Sequence, residues 1–84
     1  MPADPTVLAH ARLLDARGTF CPVPIIETAK AVRAMATGEV LLVLGTDPGI
    51  ESDMPAWCRS TRHELLELRR EGGELRAWVR KARG

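Results

Sequence analysis

A chain of 84 residues with 12 lysines and arginines against 11 aspartates and glutamates carries a formal charge of +1, and 45% of it is hydrophobic. That is enough for one small domain with a single core, burying about 60 to 65% of the surface an unfolded chain exposes. The balance excludes a disordered, collagenous or disulfide-stapled chain, since two cysteines are too few for a scaffold.

No apolar run approaches the roughly eighteen residues of a membrane span. The first ten residues hold no basic leader followed by an apolar stretch, so the expected location is the cytoplasm, with no membrane contact. In chain order, residues 1–11 read as a flexible N-terminal tail and 12–84 as a single domain. Leu13 to Asp15 and their neighbours form a short first strand, and Arg17-Gly18 turns the chain.

Next comes Gly18-Thr19-Phe20-Cys21-Pro22-Val23-Pro24-Ile25-Ile26, which puts a thiol where a helix begins. Proline suits the first helical position because its missing N–H would lack an intrahelical partner, so Cys21 reads as the N-cap. Pro22 and Pro24 donate nothing, which leaves the amides of Val23 and Ile25 to face the sulfur. The positive end of the helix favours an anion there. The expectation for Cys21 is a thiol that titrates below its free value and attacks as the thiolate.

The first helix runs from Pro22 to about Ala36, with Ile25, Ala29, Val32 and Ala36 at helical spacing and Ile26 widening the stripe, and Gly38 stops it. Val40 to Leu44 is a continuous apolar run between glycines, which fits a buried central strand. After a loop through Asp47, Pro48 and Gly49, Ser52 or Asp53 caps a second helix with Pro55 in its first turn, running to about Leu66. Leu68 to Glu71 and Leu75 to Val79 then flank Gly72-Gly73, a tight hairpin turn.

This order, βαβαββ, predicts an α/β two-layer sandwich in which a mixed four-stranded sheet has both helices packed on one face. A right-handed first crossover makes the first two strands parallel and brings their carboxyl ends to one edge. Arg17, Asp47 and the start of the second helix would then frame Cys21.

Other chemistry fits less well. A local dithiol would need a cysteine where Pro24 stands. Cys58 shares a helical face with Met54, Trp57, Thr61 and Leu65, which makes it a core residue, the alternative being a resolving sulfur. Zinc signatures use closely paired ligands, and the two cysteines and two histidines form no such pair, so no metal or organic cofactor is expected. His63 falls about ten residues into the second helix, ~15 Å from its start, and reads as a surface or packing residue, not a base for Cys21. Arg69, Arg70, Arg76, Arg80, Lys81 and Arg83 crowd the end of the chain, but Phe20, Trp57 and Trp78 are its only aromatic residues. A solvated strand pair explains the charge, and direct nucleic-acid binding is not expected.

Leu14-Asp15-Ala16-Arg17-Gly18-x-x-Cys21-Pro22-x-Pro24 resembles the signature of the TusA/SirA family of small sulfur carriers. Gly38-Glu39-x-Leu41, Asp47-Pro48, Asp53-Met54-Pro55-x-x-Cys58, His63-Glu64-Leu65 and Arg80-Lys81 follow in similar order, so the resemblance covers about residues 13 to 82. It implies the two-layer fold also found in the C-terminal domain of translation initiation factor three. It also implies that Cys21 bears a persulfide, accepts sulfane sulfur from a cysteine desulfurase or a rhodanese, and passes it to a cysteine of a TusBCD- or DsrE-like acceptor. The routes so served are tRNA thiolation, molybdenum cofactor supply and sulfur oxidation.

Val23 stands where the tRNA-thiolation member has glutamate, and Thr46 where an acidic residue precedes Asp-Pro, which makes the rim less acidic and bears on partner choice. The leading expectation is thus a sulfurtransferase acting by persulfide relay, as a monomer, with Pro22, Val23, Pro24, Ile25, Arg17 and Asp47 supporting Cys21. The alternatives are a thiol redox sensor or regulatory module without sulfur transfer, and an RNA-binding or scaffold domain using the basic hairpin.

Overall fold

The computed structural model describes residues 10–83; the expected tail lies outside the described residues up to residue 9. Six elements follow in order: β1 (Arg12–Asp15), α1 (Val23–Arg33), β2 (Val40–Gly45), α2 (Ile50–Thr61), β3 (Glu64–Glu71) and β4 (Glu74–Arg80). The four strands lie in the order β1-β2-β4-β3. β1 runs parallel to β2 while β4 is antiparallel to both β2 and β3, so the sheet is mixed.

Alternation along the strands sorts the two faces. Leu41 and Val43 of β2 and Leu75, Ala77 and Val79 of β4 meet Val32 and Met35 from α1 and its exit, and Ile50, Met54 and Cys58 from α2, in one core. Both helices therefore cover the same face, which makes the two-layer sandwich. The other face pairs Val40 with Arg80, Leu42 with Trp78 and Leu44 with Arg76 across β2 and β4. Arg69 lies over the Trp78 ring, 5.0 Å from its centre. Arginine stems beside apolar side chains shield them while the charged heads stay in water, so this face needs no second helical layer.

Several boundaries differ from those expected. α1 ends at Arg33 with Ala34 as its C-cap, and Gly38, at φ +94°, belongs to the later turn whose N–H donates to the Lys81 carbonyl at 2.7 Å. Its buried stripe is Pro24, Thr28 and Val32, and Ile26 is 47% exposed. Thr28 tolerates burial because its hydroxyl donates to the Pro24 carbonyl at 2.7 Å.

The start of α2 is earlier than expected, with Gly49 as N-cap and neither Ser52 nor Asp53 in that role; Pro55 sits inside the helix, beyond its first turn. Asp47 organises the entry: its Oδ1 accepts the Gly49 N–H at 3.1 Å and its carbonyl accepts that of Ile50 at 3.1 Å. α2 ends at Thr61, where Arg62 takes the left-handed conformation at φ 64°, and Leu65 and Leu66 belong to β3. His63 consequently lies in the turn after the helix, not ten residues inside it.

Candidate functional site

The parallel β1–β2 pair fixes the site. Pairing continues past β1 where Ala16 donates to the Leu44 carbonyl at 2.8 Å, and Gly18 donates to Thr46 Oγ1 at 3.0 Å. The loop after β1 therefore lies against the loop after β2. In that contact the Cys21 N–H donates to Asp47 Oδ2 at 2.6 Å, and Cys21 Sγ donates to Asp53 Oδ2 at 3.3 Å. Asp47 thus bridges the cysteine loop and the entry of α2, and Asp53, one turn into α2, reaches the sulfur.

Cys21 itself is exposed. It is not the N-cap: Pro22 is, and the sulfur stands one residue earlier. The Val23 N–H, expected to face the sulfur, donates instead to the Phe20 carbonyl at 2.9 Å. Among the described residues the partner of Sγ is a carboxylate, not an amide. The sign of the thiol's shift is therefore opposite to the expected one. Its pKa is raised by the hydrogen bond to Asp53, by partial desolvation and by the charges of Asp53 and Asp47. A full negative charge in contact with the sulfur outweighs the partial positive charge of a helix end that is not aimed at it.

The other expected residues divide. Pro24 is fully buried and anchors the start of α1 in the core, and Ile25 packs against that core. Pro22 is exposed at the cap, while Val23 is 40% exposed. Arg17 is turned along the sheet edge: Nε and Nη2 donate to the two Asp15 oxygens at 2.9 Å each, and Nη1 lies 3.7 Å from Glu74. This fork holds the Asp15 carboxyl down at about 2. Arg17 shapes the turn before Cys21 through its partners, not through the sulfur.

Asp53 is the residue that sequence reasoning missed as a partner of the thiol. Its place in the Asp53-Met54-Pro55 string was visible, but its contact with Cys21 depends on where α2 starts. Flanking Cys21 in the chain, Phe20 (72% exposed), Val23 (40%) and Ile26 (47%) present apolar side chains to solvent. Cys58 is 3% exposed in the core, where burial pushes its thiol up to about 11. His63 packs on Trp57, ring centres 5.6 Å apart.

The fold is that of a SirA-like α/β domain. A SirA-like protein from Desulfitobacterium hafniense shares the fold at a TM-score of 0.72, with 20% identity over 84% of this chain and 97% of its own. The family model for the sulfurtransferase TusA matches residues 12–81. The sulfur carrier TusA of Pseudomonas entomophila is 43% identical over 90% of this chain and 95% of its own length. That of Allochromatium vinosum is 42% identical over 82% and 91%. This chain belongs to the TusA family of sulfur carriers. Among the described residues no helix is long and apolar enough to cross a membrane.

Proposed function

We propose that this chain carries sulfane sulfur as a persulfide on Cys21, between a donor and an acceptor protein. The observation that supports it most is an exposed cysteine whose N–H donates to Asp47 and whose thiol donates to Asp53, in a stretch of chain that also exposes Phe20, Val23 and Ile26. An accessible cysteine flanked in the chain by exposed apolar side chains suits protein docking, since the centre of an interface is apolar and depleted in charge. The transfer needs no oxidant, metal or organic cofactor. The Cys21 thiolate attacks the outer sulfur of the donor persulfide, the donor's S–S bond breaks and its thiolate leaves with the electron pair. The Cys21 proton goes to solvent, and the new persulfide is more acidic than a thiol. An acceptor cysteine then removes the outer sulfur by the same step.

The raised thiol gives the step a condition. While its thiol donates to Asp53, Cys21 is a poor nucleophile, because the thiolate is the attacking form. A donor bringing a cationic group to the two carboxylates would pair with Asp53 and release the thiolate on contact. The same feature weighs against a redox sensor, which needs an accessible cysteine of low pKa. Donors of the required chemistry are a cysteine desulfurase or a rhodanese, and acceptors are TusBCD- or DsrE-like proteins, serving tRNA thiolation, molybdenum cofactor supply or sulfur oxidation. We place the protein in the cytoplasm, as a monomer.

The test is intact-mass measurement after incubation with a desulfurase and cysteine, or with thiosulfate and a rhodanese. A reducible gain of about 32 Da per sulfur that survives Cys58→Ser and vanishes in Cys21→Ser is the expected result. No loading by either donor, or loading on Cys58, overturns the reading.

A further inference from the structure

At the far end of α1 from Cys21, eleven residues or ~16 Å along the helix, a cavity of about 270 Å³ opens between the ends of the two helices and the chain leaving β4. Val32 and Trp57 form its apolar walls, and Arg33, His63, Lys81 and Arg83 supply its polar ones, with no carboxylate among the lining residues. Among the described residues no ion pair engages Arg33 or Arg83.

Lys81 is only 8% exposed, and its ammonium donates to the Met35 carbonyl at 2.6 Å and the Arg33 carbonyl at 3.4 Å. It is a fixed cation beside the two arginines in the cavity lining. His63 Nδ1 accepts the Ala82 N–H at 3.2 Å, so the neutral ring carries its proton on Nε2 and offers a donor. Burial first, and then the charges of Lys81 and Arg83, keep this ring's pKa below the usual range.

Two guanidiniums, an imidazole N–H and a buried ammonium suit a ligand group with more than one negative charge and several oxygens, and guanidinium forks fit phosphate best. The adjacent indole of Trp57 suits a flat ring. The volume lies just below the ~300 Å³ at which drug-sized pockets begin. We propose that this cavity binds a phosphate monoester bearing a planar ring, of nucleoside monophosphate size, as a site separate from the thiol.

The test is a titration of the full chain with AMP followed by proton–nitrogen NMR, with inorganic phosphate, adenosine and a short 5′-phosphorylated RNA strand as parallel arms. AMP should shift the Trp57 indole N–H and the His63 amide and leave the Trp78 indole in place. Phosphate alone and adenosine alone should each bind about tenfold more weakly or worse, equivalent to about 1.4 kcal/mol. Arg33→Ala combined with Arg83→Ala should weaken AMP by at least the same factor, with the rate of Cys21 alkylation unchanged as the sign of an intact fold. Tighter binding of the strand than of AMP supports the site with an RNA end as its source, and the reverse order supports it with free nucleotide. No shifts at the cavity with AMP or strand, or shifts that survive the double substitution, overturn it. Neither result bears on sulfur loading at Cys21.

Discussion

Cys21 and Cys58 both have thiols that resist ionisation, for different physical reasons. Cys58 is in the core of α2, where desolvation alone raises it and no approaching molecule can change its surroundings. Cys21 is exposed on a loop, and the first cause of its shift is one hydrogen bond to a carboxylate. The comparison teaches that a raised pKa is permanent when it comes from burial and reversible when it comes from a neighbouring charge that a partner can neutralise.

Four measurements bear on the two thiols and their surroundings. The largest effect is expected from Cys21→Ser, which should abolish sulfur loading while leaving urea unfolding unchanged; any residual loading above background would remove the assigned role. Next is the pH dependence of stability carried by Cys58. Its pKa is raised from 9.0 to about 11 in the folded state, so its contribution is fully present below pH 9 and lost as pH rises through 11. A loss of about 2 kcal/mol over that window is expected, and Cys58→Ala should flatten it in chemical denaturation.

A smaller effect is expected at Asp53. Asp53→Asn removes the charge at the sulfur, so the rate–pH profile of iodoacetamide alkylation of Cys21 should move to lower pH and the rate near neutrality should rise. An unchanged profile would show that the carboxylate does not raise the thiol. The smallest effect is expected from Phe20→Ser, which should slow loading by a donor protein severalfold without altering alkylation by a small reagent. Equal loading rates would remove Phe20 from the docking surface.

The sequence made β2, the Gly72-Gly73 hairpin and the thiol at the start of α1 legible, because each depends on neighbouring residues. The junction of α2 and β3 was not legible, for a geometric reason. Leu65 and Leu68 both pack against the core, three residues apart as on a helix, because a bulge at Leu66 shifts the register between Leu65 and Glu67. The stop itself is Arg62, whose left-handed backbone carries none of the glycine that usually announces it. At the site, Cys21, the Asp47 loop and the role of α2 were readable, but the sign of the thiol's shift was not. It depends on Asp53, 32 residues away in sequence, and on the cap at Gly49 that turns it inward. Gly45 protects that geometry, because a Cβ there would collide with the Ile50 side chain at the entry to α2.

β3 is an edge strand, and an unpaired edge is a template on which another chain can add a strand. Here that edge is bent by the bulge and studded with Glu64, Glu67, Arg69, Arg70 and Glu71, while the opposite edge, β1, is only four residues long. Neither border invites strand addition, so a molecule that displays Phe20, Val23 and Ile26 to water is guarded against fibre-like self-association, and its encounters are steered to the loops at the end of the sheet.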